Sequence, residues 1–181
     1  LDQRPDLREL LLPHCRLGLG EIWTDPISGH KIGCLDAADT KQVSKLMDGD
    51  RASLAIHDPP YNLVAFEERG VGEVIKWWKQ WVKNTLDWMA SDASFYVWLG
   101  ADQRNGFQPL PDFMMMMREF DIKTRSFITM RNQRGYGTQK NWMAVRQELL
   151  YYTKGNPIFN VEAEYTDIPK ILRGSYKEIH G

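Results

Sequence analysis

Two apolar runs and the amphipathic stretch between them constrain this chain more than any other feature. Residues 52–57 read ASLAIH and are followed at once by Asp58-Pro59-Pro60. A short apolar run closed by such breakers predicts a buried strand. Residues 73–90, EVIKWWKQWVKNTLDWMA, place Val74, Trp77, Trp78, Trp81, Val82 and Leu86 at three- and four-residue steps. That spacing predicts a helix of about five turns with one apolar stripe. SFYVWLG, residues 94–100, reads as a second strand ending at Gly100. Strand, long helix and strand in succession predict an α/β sandwich built around a mostly parallel sheet.

The flanking sequence extends the pattern. Ile32-Gly33-Cys34 is a short strand candidate. DTKQVSKLMDG, residues 39–49, sets Val43, Leu46 and Met47 on one helical face, with Gly49 as the stop. PDFMMMMREF reads as a helix with Pro111 in its first turn, its four methionines serving as core filler. IKTRSFITM and QELLYYTKG read as two further strands. Residues 1–30 are taken as an N-terminal arm, with turn chemistry in WTDPISGHK.

Composition bounds the function. With 181 residues, 43% apolar and 12% aromatic, the chain has material for one folded domain. Its formal net charge of −1 excludes a global positive field, so any polyanion must meet a local patch. Cys15 and Cys34 lack metal-like spacing and predict a reducing compartment without a disulfide framework. His14, His30, His57 and His180 are scattered, so no metal site is expected. No apolar run is long enough to span a membrane, and none reads as a signal peptide. The chain begins at Leu1 rather than Met, as expected of a processed or partial product.

The Asp-Pro-Pro-Tyr string carries the chemistry. In open α/β sheets, ligands bind beyond the carboxyl ends of strands, where Asp58 falls. Pro59 and Pro60 lock the following backbone torsions, and Pro59 keeps Asp58 out of helical geometry. A stiff loop of this kind holds an acid, a carbonyl and the Tyr61 ring in fixed relation. It suits a flat ligand with an amino group: the Asp58 carboxylate and Pro59 carbonyl each accept one amine hydrogen, and Tyr61 stacks on the ring. Enzymes that modify a base flipped from its helix need this arrangement. The plain alternative is a rigid turn after a strand. His57 precedes the acid and would point to the opposite strand face, in a supporting or structural place.

The string Asp58-Pro59-Pro60-Tyr61, its place after an apolar strand and the following Asn62 resemble the amino-directed DNA methyltransferases. GCLDAADTKQVSKLMDG, residues 33–49, resembles the segment that precedes the catalytic loop in the permuted beta class, with Leu35 at the usual glycine. RQELLYYTKGN resembles the family's late segment, with Gln147 at the usual histidine and Glu148, Lys154 and Gly155 retained. The resemblance implies a partial Rossmann-like methyltransferase sheet with helices on both faces and S-adenosylmethionine as cofactor. It implies Asp36 and Asp58 as cofactor-binding residues, and Asp58, Pro59, Pro60 and Tyr61 as catalytic ones. Asp in the first position implies adenine as the target. The implied setting is a cytoplasmic, bacterial or phage-like restriction–modification context. Residues 31–160 would form the catalytic core and 161–181 the opening of a target-recognition region. No acid-Pro-Phe, Gly-x-Gly cofactor string occurs before Gly181, so the chain is expected to carry the base-binding half of the site.

Double-stranded DNA is the expected partner. Between Asp121 and Glu148 there is no acid, while Lys123, Arg125, Arg131, Arg134, Lys140 and Arg146 all fall in that window. MRNQRGYGTQKNW, residues 130–142, reads as a polar loop in which Arg131, Asn132, Gln133, Arg134 and Lys140 meet nucleic acid. The tryptophans of the long helix read as core or interface packing, which makes a homodimer a further expected partner. A non-catalytic DNA- or partner-binding module of the same fold is the alternative to an enzyme.

Overall fold

The computed structural model describes residues 16–60, 70–100, 108–138 and 141–159. Strands β1 (Ile22–Thr24) and β2 (Lys31–Gly33) form an antiparallel hairpin. Its turn is organised by Asp25, whose carboxylate accepts from the amides of Ile27 and Ser28, with Gly29 at a φ of +74°. The arm expected to end at residue 30 therefore includes one strand of this hairpin. Helix α1 (Thr40–Met47) follows, then β3 (Ala52–His57), α2 (Val71–Trp88) and β4 (Met89–Gly100). Helix α3 (Pro109–Met117) precedes β5 (Lys123–Thr138) and β6 (Asn141–Lys154).

The second sheet has the order β3-β4-β6-β5. Only β3 and β4 run parallel, while β6 is antiparallel to both β4 and β5. The α/β class expected from the sequence holds, but the described sheet is mixed rather than mostly parallel. The reason is local: only two residues separate β5 from β6, and so short a connection permits only antiparallel pairing.

β4 shows how the layers meet. Ala93, Phe95, Val97 and Leu99 alternate inward and are buried, the period-two signature of a strand with one face in a core. Above them lie Trp78, Trp81 and Val82 of α2 and Phe113, Met116 and Met117 of α3. Trp81 stacks on Phe113 at 5.8 Å, and Trp78 meets the same ring edge-on at 5.3 Å. Trp78 and Trp81 thus fill a single intramolecular core, and truncating such a ring costs about 3–5 kcal/mol. On the other face Leu54 and Ile56 stay exposed, and Tyr96 stacks flat on Tyr151 at 4.4 Å.

Helix α2 ends without a loop. Trp88 is its last residue, and Met89 is already extended and begins β4. A helix end leaves carbonyls unpaired. Here Lys154 of β6 supplies the partner: its Nζ donates to the carbonyls of Leu86 (2.9 Å) and Met89 (3.4 Å). Gly155 then turns left-handed at φ +60°, and the next amide, of Asn156, donates to the Asp92 carboxylate at 2.7 Å. A Cβ on residue 155 would overlap the Ser91 carbonyl oxygen and the Asp92 carboxylate. The Lys154-Gly155 pair is thus a structural joint. Gly155→Ala is expected to lower stability by about 2 kcal/mol or more, from positive φ and backbone overlap together. Urea denaturation of the variant checks this.

Candidate active site

The candidate site begins where β3 stops. Asp58 follows His57 directly and is exposed, while Pro59 is buried and Pro60 exposed. The buried proline seats the turn against the body of the protein and leaves the acid facing solvent. Because β3 and β4 are parallel with His57 opposite Val97, Asp58 lies at the carboxyl end of the parallel pair. Tyr61 lies outside the described residues.

His57 points to the helical layer, as the strand alternation requires. Its ring sits 4.9 Å from Trp81 and 5.4 Å from Phe95, and its Nε2 lies 3.1 Å from Thr85 Oγ1. Thr85 Oγ1 also donates to the Trp81 carbonyl at 2.9 Å. A hydroxyl has one proton to give, so at Thr85 it accepts from an Nε2–H of neutral His57. Burial pushes the His57 pKa down to about 4 from its ordinary value near 6.5.

Asp36 occupies the turn between β2 and α1. Its Oδ1 accepts from the Ala38 amide (2.9 Å), and its own amide donates to Gln42 Oε1 (3.0 Å). Asp39 caps α1 by accepting from the amides of Lys41 and Gln42. These hydrogen bonds hold its carboxyl below the usual range, with the Gln42 amide the largest cause. The Asp36 turn is tied inward by Asn84 of α2, only 1% exposed. Asn84 Nδ2 donates to the Ala37 carbonyl at 2.9 Å, and Oδ1 accepts from Thr40 Oγ1 at 2.9 Å.

Residues next to each of the two expected acids line one groove. A cavity of about 370 Å³ is lined by Leu35 and Ala37 on one side and by Ile56 and His57 on the other. Val43, Leu46, Thr85 and Trp88 close it. The structure therefore brings the Asp36 turn and the end of β3 to a common, mostly apolar cleft. Asn84 and Thr85 were not singled out by the sequence reading. The only sequence signal was two polar residues inside a tryptophan-rich helix, which reads equally well as its solvated side. Cys34, read as a small apolar residue at a strand end, is exposed.

The expected nucleic-acid segment differs from the reading as a loop. β5 continues through Arg131, Asn132, Gln133 and Arg134 to Thr138, and β6 resumes at Asn141; Lys140 lies outside the described residues. The register is irregular between Arg131 and Tyr136 and again before Thr138, so bulges absorb the glycines that suggested a loop. The last β4–β6 pair is Gly100 with Gln147, and β5–β6 pairing continues beyond it. The two-stranded extension therefore leaves the sheet at the end that carries Asp58. Among the described residues no group of three His, Cys, Asp or Glu side chains is placed to hold a metal. No described helix is long and apolar enough to cross a membrane.

An exposed acid at the carboxyl end of a parallel strand pair, near a cleft between a strand end and a capped turn, stands where open α/β sheets bind ligands. A family model described as DNA methylase (N6_N4_Mtase) matches residues 52–178, and the chain belongs to that family. No curated protein sequence matches the chain. Among solved structures, it is similar to the PvuII DNA methyltransferase, described as cytosine-N4-specific. The identity is 14% over 73% of this chain and 60% of that one, with a TM-score of 0.51. M1.HpyAVI is similar at 13% identity over 72% of this chain and 59% of that one, with a TM-score of 0.49. At these identities the PvuII likeness shows a shared fold. The chain spans about three fifths of the length of these structures.

Between pH 6.5 and pH 4 the unfolded chain takes up a proton at residue 57 that the native state refuses. The stability gained by keeping His57 neutral is therefore full above pH 6.5 and is lost as pH falls toward 4. The slope is at most about 1.4 kcal/mol per pH unit, and the total on the order of 3 kcal/mol. His57→Phe is expected to flatten this part of the stability curve, whatever its effect at neutral pH. Denaturation midpoints across that range check it.

Proposed function

We propose that the chain is the base-binding part of a DNA methyltransferase that moves a methyl group from S-adenosylmethionine to the exocyclic amine of a flipped adenine. The observation that carries this reading is the exposed Asp58 carboxylate on a proline-stiffened turn at the carboxyl end of β3, in a chain of the DNA methylase family.

The roles follow from the residues present. Asp58 and the Pro59 carbonyl accept the two amine hydrogens and draw the nitrogen toward tetrahedral geometry. The nitrogen lone pair is thereby freed for attack, and the proton released on bond formation leaves through the Asp58 carboxylate. Tyr61, by its place in the string, stacks on the base. Holding the amine in line and offering a fixed negative charge supply most of the rate enhancement in such a step. No side chain need form a covalent bond. The groove between Leu35, Ala37 and His57 has the volume and apolar lining of a small-molecule pocket. It fits the nucleoside part of the cofactor, with the Asp36 and Asp58 turns at its two sides. The cofactor supplies an electrophilic methyl on sulfonium.

DNA contact is assigned to the β5–β6 extension. It projects from the catalytic end, and a two-stranded ribbon has the width that a major groove admits. Arg131 stands opposite Arg146 in the register. Arg134, Asn132 and Gln133 share this ribbon, and Lys140 lies between its two strands in the sequence.

A second reading, transfer to the cytosine amine, is favoured by the fold shared with the cytosine-N4-specific PvuII enzyme. Tritiated methyl transfer to duplex DNA, followed by nucleoside analysis, separates the two. Label in methyladenine supports the first reading, and label in methylcytosine the second. DNA binding without transfer would instead make the chain a non-catalytic module. Asp58→Ala is expected to lower transfer by at least ~100-fold, a larger factor than any loss of cofactor affinity. A variant that still transfers methyl overturns the role of Asp58. Arg131→Ala with Arg146→Ala is expected to weaken DNA binding and reduce the slope of log K against log salt by about two. Fluorescence anisotropy at several salt concentrations measures it.

A further inference from the structure

We infer that Asn84 and Thr85, adjacent on α2, are a pair of positioning residues that set the two sides of the cleft independently, Asn84 the Asp36 turn and Thr85 the Asp58 turn. This rests on the roles proposed above for Asp36 and Asp58.

The geometry divides cleanly between neighbours. Asn84 reaches the loop before α1: its Nδ2 takes the Ala37 carbonyl, one residue beyond Asp36, and its Oδ1 takes the Thr40 hydroxyl. Gln80, one turn earlier on α2, braces the same Oδ1 at 3.3 Å. Thr85 reaches β3 instead, where its hydroxyl meets His57, one residue before Asp58. Successive helical residues point about 100° apart, so one short segment of α2 addresses two chain segments about twenty residues apart. A buried amide in a helix gives up propensity and must find partners, and a leucine would fill the Asn84 site without that demand. What the polar pair adds is direction: hydrogen bonds fix a loop's placement where apolar contacts permit sliding.

Asn84 does not line the groove and Thr85 does; the role argued for each is exerted through the residue it holds. The division gives a signature that a purely structural role lacks. Thr85→Val keeps the shape and removes the hydroxyl, and Thr85→Ser restores it. Asn84→Ala removes all three contacts, and Thr40→Val, near the surface, removes one of them with less risk to folding.

Hydrogen exchange on the full chain, read at single amides, is the primary measurement. Thr85→Val is expected to speed exchange at His57 and Asp58 by about tenfold or more and leave Ala38 to Thr40 at wild-type rates. Asn84→Ala and Thr40→Val are expected to do the reverse, and Thr85→Ser to return the wild-type pattern. Equal loosening of both segments by either variant, or of neither, overturns the inference. In methyl transfer by the enzyme, Thr85→Val should lower kcat by a larger factor than it raises KM for S-adenosylmethionine. Asn84→Ala should raise that KM at constant kcat. Parallel changes in both constants for both variants overturn the positioning role even where the exchange pattern splits. If instead wild-type protein transfers no methyl group while the exchange pattern splits, the proposed function fails and the two-sided tie stands.

Discussion

The joint where α2 becomes β4 is the constraint on which the remaining structure rests. There is no connecting loop between Trp88 and Met89, so the helix cannot drift over the sheet. A helix stopped this abruptly exposes carbonyls to a buried corner, and the Lys154 ammonium meets them from β6. Gly155 lets the chain pass close enough to Ser91 for Lys154 to reach. With α2 fixed at its end, Trp81 settles between Phe95 and Phe113, Trp78 meets Phe113, and the core closes around them.

A fixed α2 also gives the cleft its walls. The helix presents Asn84 to the turn before α1 and Thr85 to the end of β3. The packing that stabilises the domain and the hydrogen bonds that shape the candidate site therefore share one rigid element. Rigid support of this kind matters for a reaction that depends on placing an amine against an electrophile. Misplacement by about 1 Å can cost a hundredfold in rate.

Much of this was legible in the chain itself. ASLAIH became β3 with no change of boundary, but not the buried strand expected: none of its residues is buried, and Leu54 and Ile56 face outward on the side away from the helices. The three- and four-residue spacing found α2 to within two residues at either end. The late Lys-Gly pair was visible only as a resemblance, and the structure gives it a physical meaning as cap and close approach. Other features were hidden because they depend on partners distant in sequence. The polar window from Met130 to Trp142 reads as a loop by its glycines, yet pairing across a short connection draws most of it into strands. The helical stretch was read to residue 90, but β4 claims Met89, because a strand needed by the sheet outweighs one more turn of helix.

Local pattern in the sequence determined the elements, the family and the exposed acid at the end of β3, because period, breakers and a proline-stiffened string act over a few residues. Tertiary structure alone decided that the sheet is mixed, that the Asp36 and Asp58 turns border one groove, and that Asn84 and Thr85 bind them to a common helix. Those outcomes depend on strand register and on hydrogen bonds spanning 28 to 47 residues of chain. Such distances are fixed only when the core closes.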